Sequence, residues 1–214
     1  MGVKSWLLAA MITIASVAVS IDRATADDVE NVAGLLELVI ESSPDAAREC
    51  LTTLSEKSRN REISVDQIAA LQKRLGPTLR TVLSAGEKNP LYADVALLAA
   101  SWKEPAGLEA VRKLAGEGAA DRRLKAIETL AAAGDAGVLA LVESILLEKK
   151  HPLEFRGAVL TSLARLEDAK VALLLIAKWP ALEAELQTKA IEVLTQRAAW
   201  SRALLEEIGR GKIP

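Results

Sequence analysis

The sequence predicts an all-α fold built as a solenoid of stacked helical hairpins. Three observations point there. Half of the 214 residues are hydrophobic but only 3% are aromatic; Ala and Leu dominate, and runs of strand-forming residues are missing. One phrase recurs: "LKAIETLAAAGD" (124–135) returns as "RGAVLTSLARLED" (156–168) and "TKAIEVLTQRAAW" (188–200), after a looser "ADVALLAASWK" (93–103). Pro and Gly punctuate the intervals between copies. A fixed period of this size is the mark of a repeat architecture, in which each unit buries its apolar stripes only against its neighbours.

Two sets of columns define the unit. Leu98, Leu130, Leu163 and Leu194 are spaced 32, 33 and 31 residues apart. Each is followed by a small residue (Ala99, Ala131, Ala164, Thr195). Ala126, Val159 and Ala190 precede the last three by four positions, and Asp94 breaks that column. Between these lie Val111, Val142, Leu173 and Leu205, and three residues on from each, Leu114, Ile145, Ile176 and Ile208. A separation of three keeps both on one helical face, so the second set is expected to be core. Each repeat is then two amphipathic helices. They are predicted over 90–101, 105–116, 120–133, 137–148, 153–166, 169–178, 182–197 and 199–209. Asn89-Pro90, Glu104-Pro105, His151-Pro152 and Trp179-Pro180 place Pro at helix starts, where its missing N–H is harmless. Gly116, Gly118 and Gly134 stand at helix ends.

The region before these repeats is less regular. Val29–Glu41 and Pro44–Ser58 read as a helix pair, with Ser43 as a cap. Ser64–Leu75 and Pro77–Ser84 read as two more helices broken at Gly76-Pro77. "SEKSRNREIS" (55–64) reads as a polar connector. Residues 27–89 are therefore expected to form an irregular helical cap, and 90–214 the repeats.

Residues 1–26 read as an export signal. Lys4 supplies a positive start, Trp6–Ser20 is an apolar run without charge, and Ala24-Thr25-Ala26 offers small residues before Asp27. The run is short for a membrane span, which takes about 20 residues. No membrane attachment is expected after cleavage, and the localisation expected is periplasm or cell envelope. The formal net charge of −2 is spread without a basic stripe, so no nucleic-acid partner is expected. A single cysteine leaves no internal disulfide to staple an exported chain.

Catalytic signals are sparse. His151 is the one histidine; it sits in "EKKHPLEF", at a turn, and reads as a surface or helix-start residue. Cys50, with Leu51 and Leu54, matches the spacing of Ala126, Ile127 and Leu130, and so reads as a small buried hydrophobe. One His and one Cys provide no zinc spacing. "GEGAAD" (116–121) lacks the Lys-Ser/Thr that a phosphate loop requires and reads as a turn. No cofactor and no catalytic residue are expected. Trp102, Trp179 and Trp200 stand near helix ends, either filling gaps between repeats or serving as binding anchors.

Lys125-Ala126-Ile127-x-x-Leu130, Arg156-x-x-Val159-x-x-x-Leu163 and Lys189-Ala190-Ile191-x-x-Leu194 resemble the HEAT-like repeat family, which implies a right-handed α-solenoid. The tetratricopeptide signature has no counterpart at matching positions. The C-terminal stretch with Trp200, Ala203, Leu204, Leu205, Ile208, Gly211, Lys212, Ile213 and Pro214 also resembles the HEAT-like arm of large exported dehydrogenases of planctomycete type, which joins a β-propeller to a c-type haem domain. Neither a propeller nor a Cys-x-x-Cys-His site is present in this sequence. The HEAT resemblance implies that the second helix of each hairpin lines a concave face. Its outward columns would be Arg123, Arg156 and Gln187; Glu128, Thr161 and Glu192; and Ala132, Arg165 and Gln196. This mixed charge suits a protein or peptide. The candidate protein-binding residues are Arg123, Glu128, Arg156, Arg165, Glu192 and Gln196. The expected function is an exported, non-enzymatic scaffold binding another protein. The alternatives are the severed arm of a haem-dependent dehydrogenase and a HEAT protein resembling tetrapyrrole lyases. The last segment, 199–209, has no following partner, so it is either a cap or one step of a longer array.

Overall fold

A computed structural model describes residues 26–166 and 168–213, and among these all regular structure is helical. The expected signal segment lies outside the described residues except for Ala26. No helix among the described residues is long and apolar enough to cross a membrane. The chain compacts as two units, one ending at Val111 and one starting at Arg112.

The first unit holds α1 (Ala26–Ser42), α2 (Pro44–Arg59), α3 (Val65–Ala85), α4 (Tyr92–Ser101) and the start of α5 (Pro105–Gly116). α1 packs on α2 and α3, and α4 packs on the same two helices. Their shared core includes Leu36, Leu51, Leu71, Leu75, Val95 and Leu98. At roughly 1.5–3 kcal/mol per buried aliphatic side chain, that core outweighs any local helix preference. It explains why α3 is one continuous helix rather than the two expected. Pro77 removes one backbone bond inside α3, but Leu71 and Leu75 before it and Leu79 and Val82 after it are all buried on the same face. α3 starts with a capping box: Gln67 N–H donates to Ser64 Oγ at 3.3 Å, and Ser64 N–H donates to Gln67 Oε1 at 3.0 Å. Ser43 precedes α2 in an extended conformation, yet its side chain makes no capping bond. Asp94, which interrupts the small-residue column, accepts from Arg48 Nε at 3.3 Å and ties α4 to α2.

Trp102 follows α4 and is buried; its indole N–H donates to Ser58 Oγ at 3.0 Å. α5 then crosses α4 at backbone contact. A Cβ on Gly107 would stand 2.5 Å from Ala100 N and 2.6 Å from Ala99 Cβ, so only glycine permits the crossing.

The second unit continues with α6 (Ala120–Ala133), α7 (Val138–Leu147), α8 (Leu153–Ser162), α9 (Lys170–Lys178), α10 (Ala184–Leu194) and α11 (Ala198–Gly209). The even-numbered helices form one row, α6 on α8 and α8 on α10. The odd-numbered helices form another, α7 on α9 and α9 on α11. The rows meet where α7 packs on α6 and α8, and where α11 packs on α10. The Leu column lies at the centre: Leu98 in the first unit, and Leu130, Leu163 and Leu194 in the second, are all fully buried. Gly134 ends α6 at φ +72°, with its N–H donating to Ala131 and the next N–H to Leu130.

The other column is corrected in its second half. Val111 and Val142 are buried, whereas Leu173 and Leu205 are 64% and 66% exposed and Ile208 is 41% exposed. The buried residues of α9 are Val171, Ala172 and Leu175, and those of α11 are Trp200 and Leu204. "KVALLLIAK" is apolar around its whole circumference, so periodicity does not choose its buried face. Packing against α7 and α11 chooses it. Asp168 Oδ1 accepts from Lys170 N–H at 2.8 Å at the start, and buried Trp179 anchors the finish.

Two glycine substitutions separate close approach from helix propensity. Gly107→Ala is expected to lower stability by about 1–3 kcal/mol through overpacking. Gly34→Ala, inside α1 with open space at its Cβ position, is expected to raise it by about 0.5–1 kcal/mol. Urea midpoints of the two variants test both signs.

Candidate functional site

The column Arg123, Arg156 and Gln187 has a structural task. Each side chain reaches back from an even-numbered helix to the last turn of the odd-numbered helix before it or, for Gln187, to the residue just past that helix. Arg123 Nε donates to Ala115 O at 3.1 Å, Arg156 Nη1 to Leu146 O at 3.1 Å, and Gln187 Nε2 to Trp179 O at 3.0 Å. The last carbonyls of a helix have no partner within it, and they carry the negative end of its dipole. At Ala115 and Leu146 a cationic donor from the next helix satisfies both needs; Trp179 O also accepts from Leu182 N–H at 3.1 Å, and Gln187 adds a second, neutral donor there.

This overturns the expected outward position of Arg156 and gives Arg123 a capping contact. Arg156 is buried, its side chain 6% exposed, with Nη2 2.5 Å from Glu183 Oε2 and Lys149 Nζ 3.9 Å from the other carboxylate oxygen. A guanidinium placed there must be paired, because an isolated buried charge is expensive. Arg123 is half-buried, with its guanidinium 4.9 Å from the centre of the Phe155 ring. His151 packs against the same ring with centroids 5.8 Å apart. The other candidates keep more of their surface. Arg165, in the turn after α8, and Glu192 and Gln196, on and after α10, are exposed, and Glu128 on α6 is half-buried. Because α6, α8 and α10 stack in order, these four residues lie on consecutive members of one row.

His151 is less exposed than its turn position implies, with 13% of its side chain accessible. Desolvation, and after it the positive charges of Arg123 and Lys150, holds its pKa below the ordinary 6.5, against the pull of Glu148. Glu148 Oε2 is 3.5 Å from His151 Nε2, and Ser144 Oγ donates to Glu148 Oε1 at 2.8 Å. Lys150 and Ser144 bonds hold that carboxyl below its ordinary range. The order of contacts is Ser–Glu–His, so the hydroxyl faces a carboxylate rather than the imidazole that would take its proton. Cys50 is half-buried at the edge of the first unit's core; burial, then Glu49, raises its thiol pKa. That favours the thiol over the nucleophilic thiolate. Among the described residues no three His, Cys, Asp or Glu side chains gather as metal ligands.

The three tryptophans beyond residue 100 are buried, which places them among the gap fillers. Sequence reasoning missed Glu183 and Asp135. Asp135 is buried, accepts from Arg112 Nε at 3.1 Å and from Gly137 N–H at 3.0 Å, and so joins α5 to the start of α7. The dipeptide Gly134-Asp135 was a readable turn signal for it; Glu183 carried no local signal. No protein-family model, curated protein or solved structure matches this chain.

The Arg156–Glu183 pair yields an asymmetric prediction. Glu183→Ala strands a buried guanidinium and is expected to cost about 3 kcal/mol. Arg156→Met leaves a carboxylate 32% exposed, which turns to water, so the expected cost is about 1–2 kcal/mol. The double variant is expected to cost no more than Glu183→Ala alone, a non-additivity read from urea unfolding.

Acid acts in two stages. Folding favours neutral His151, so its contribution is complete above pH 6.5 and falls as pH drops below that value. Glu62, Glu148 and Glu207 have lowered pKa values, so their contributions are lost as pH falls below about 4.5. Urea midpoints at pH 8, 6 and 5 are expected to decline for the parent and to decline less for His151→Asn.

Proposed function

We propose that residues 90–213 form a right-handed, HEAT-like solenoid, and that the chain is an exported scaffold that binds another protein along its even-numbered helices. One observation carries the reading. α6, α8 and α10 stack in sequence order, and this row carries half-buried Glu128 and exposed Arg165, Glu192 and Gln196, while Arg123, Arg156 and Gln187 are engaged in helix capping. A surface of alternating sign on a rigid row favours a protein partner of mixed charge over a polyanion. The export part rests on the sequence of residues 1–26.

Two experiments test it. Native protein recovered from the envelope fraction is expected to begin at Asp27 by N-terminal sequencing; a retained Met1 overturns the cleavage, and recovery in the cytoplasmic fraction alone overturns the export reading. Affinity capture from that fraction is expected to retain a stoichiometric partner. The double reversal Arg165→Glu/Glu192→Lys is expected to weaken its retention about tenfold or more, the effect of losing a few charge pairs, at an unchanged urea midpoint. Equal retention by the variant overturns the assigned surface.

A further inference from the structure

A groove of about 210 Å³ lies in the first unit between α3 and the α4–α5 turn. Its floor is apolar, made by Leu79, Leu83, Ala99, Trp102 and Pro105. Its two ionisable lining residues are Arg80 and Glu104. Among the described residues neither forms an ion pair, with the other or with any third group. From this arrangement we infer that the groove binds a small zwitterion with an apolar body, in the chemical class of an aliphatic α-amino acid. Arg80 takes the carboxylate, Glu104 takes the ammonium, and the hydrocarbon lies on the floor.

Three features shape the groove for such an occupant. Gly76 is buried one helical turn before Arg80, and a Cβ there would stand 3.2 Å from the guanidinium. The glycine lets Arg80 fold back along α3 beside the groove. Trp102 is held at both ends, its indole by Ser58 at 3.0 Å and its carbonyl by Gln72 Nε2 at 3.1 Å, so the floor is preorganised. Lys103, just past the end of α4, adopts φ +62°, its N–H donating to Ala100 O at 2.9 Å and the N–H of Glu104 to Ala99 O at 3.0 Å, which fixes where Glu104 leaves the helix.

Size and charge select the ligand. The volume is below the roughly 300–1,000 Å³ of clefts that take drug-sized molecules. A simple carboxylate would pair with Arg80 but face Glu104, and a simple amine would face Arg80. Only a ligand bearing both charges compensates both residues.

Calorimetric titration of the full chain with three compounds of one carbon skeleton tests this: L-leucine, 4-methylpentanoate without the ammonium, and 3-methylbutan-1-amine without the carboxylate. Leucine is expected to bind with a dissociation constant on the order of 1 mM, as its few atoms allow. It should also perturb tryptophan fluorescence through Trp102. Each single-charge analogue is expected to bind about tenfold more weakly or worse. Arg80 is exposed, so Arg80→Gln is expected to fold with the parent's urea midpoint and to bind leucine about tenfold more weakly. Absence of leucine binding, equal binding of 4-methylpentanoate, or unchanged affinity in Arg80→Gln overturns the assignment.

Discussion

The structure depends on a repeated solution to one problem, the unsatisfied carbonyls at the end of a short helix. A helix of ten residues, such as α7, leaves a large share of its carbonyls without internal partners. In the second unit the next helix supplies the donor. Arg123, Arg156 and Gln187 reach Ala115, Leu146 and Trp179. In the first unit the donor comes from the preceding helix: Gln72 on α3 donates to the carbonyl of Trp102, the residue that ends α4. These bonds orient each helix against the one it caps, so they set register as well as satisfying polar groups.

The apolar core needs that help because its side chains are generic. Ala, Val and Leu pack in many orientations, and a helix such as α9 has apolar side chains on every face. Packing against neighbouring helices removes the ambiguity, with polar anchors at the ends. Asp168 begins α9, Asp135 joins α5 to the start of α7, and the Arg156–Glu183 pair links α8 to the residue before α10. A buried pair such as Arg156–Glu183 adds little net stability when intact, and removing one partner is costly. Exposed Leu173 and Leu205 are the consequence on the outside, side chains that the chosen rotation leaves in water.

Burial also settles the chemistry of the reactive side chains. His151 is tucked against Phe155 among three cations, and Glu148 is its acidic neighbour. Cys50 is pressed to the edge of an apolar core. Both environments favour the neutral form. The groove beside Trp102 differs, because its charged groups remain uncommitted and its floor is rigid.

The sequence by itself determined the helices. Ala/Leu composition, prolines at starts and glycines at ends act through the backbone within a few residues, so the predicted spans over 105–133 match α5 and α6. It also determined the Leu column, buried at all four positions, where each Leu is followed by a small residue that lets the neighbouring helix approach. Only the tertiary structure decided which face of α9 and α11 turns inward, that α3 runs through Pro77, and that Arg156 is a buried cap rather than a surface contact. Those outcomes depend on partners distant along the chain: Glu183 for Arg156, the shared core for α3, and α7 and α11 for α9. A local pattern holds no information about what stands opposite, and an arginine in a repeating column looks the same whether it meets water or the end of another helix.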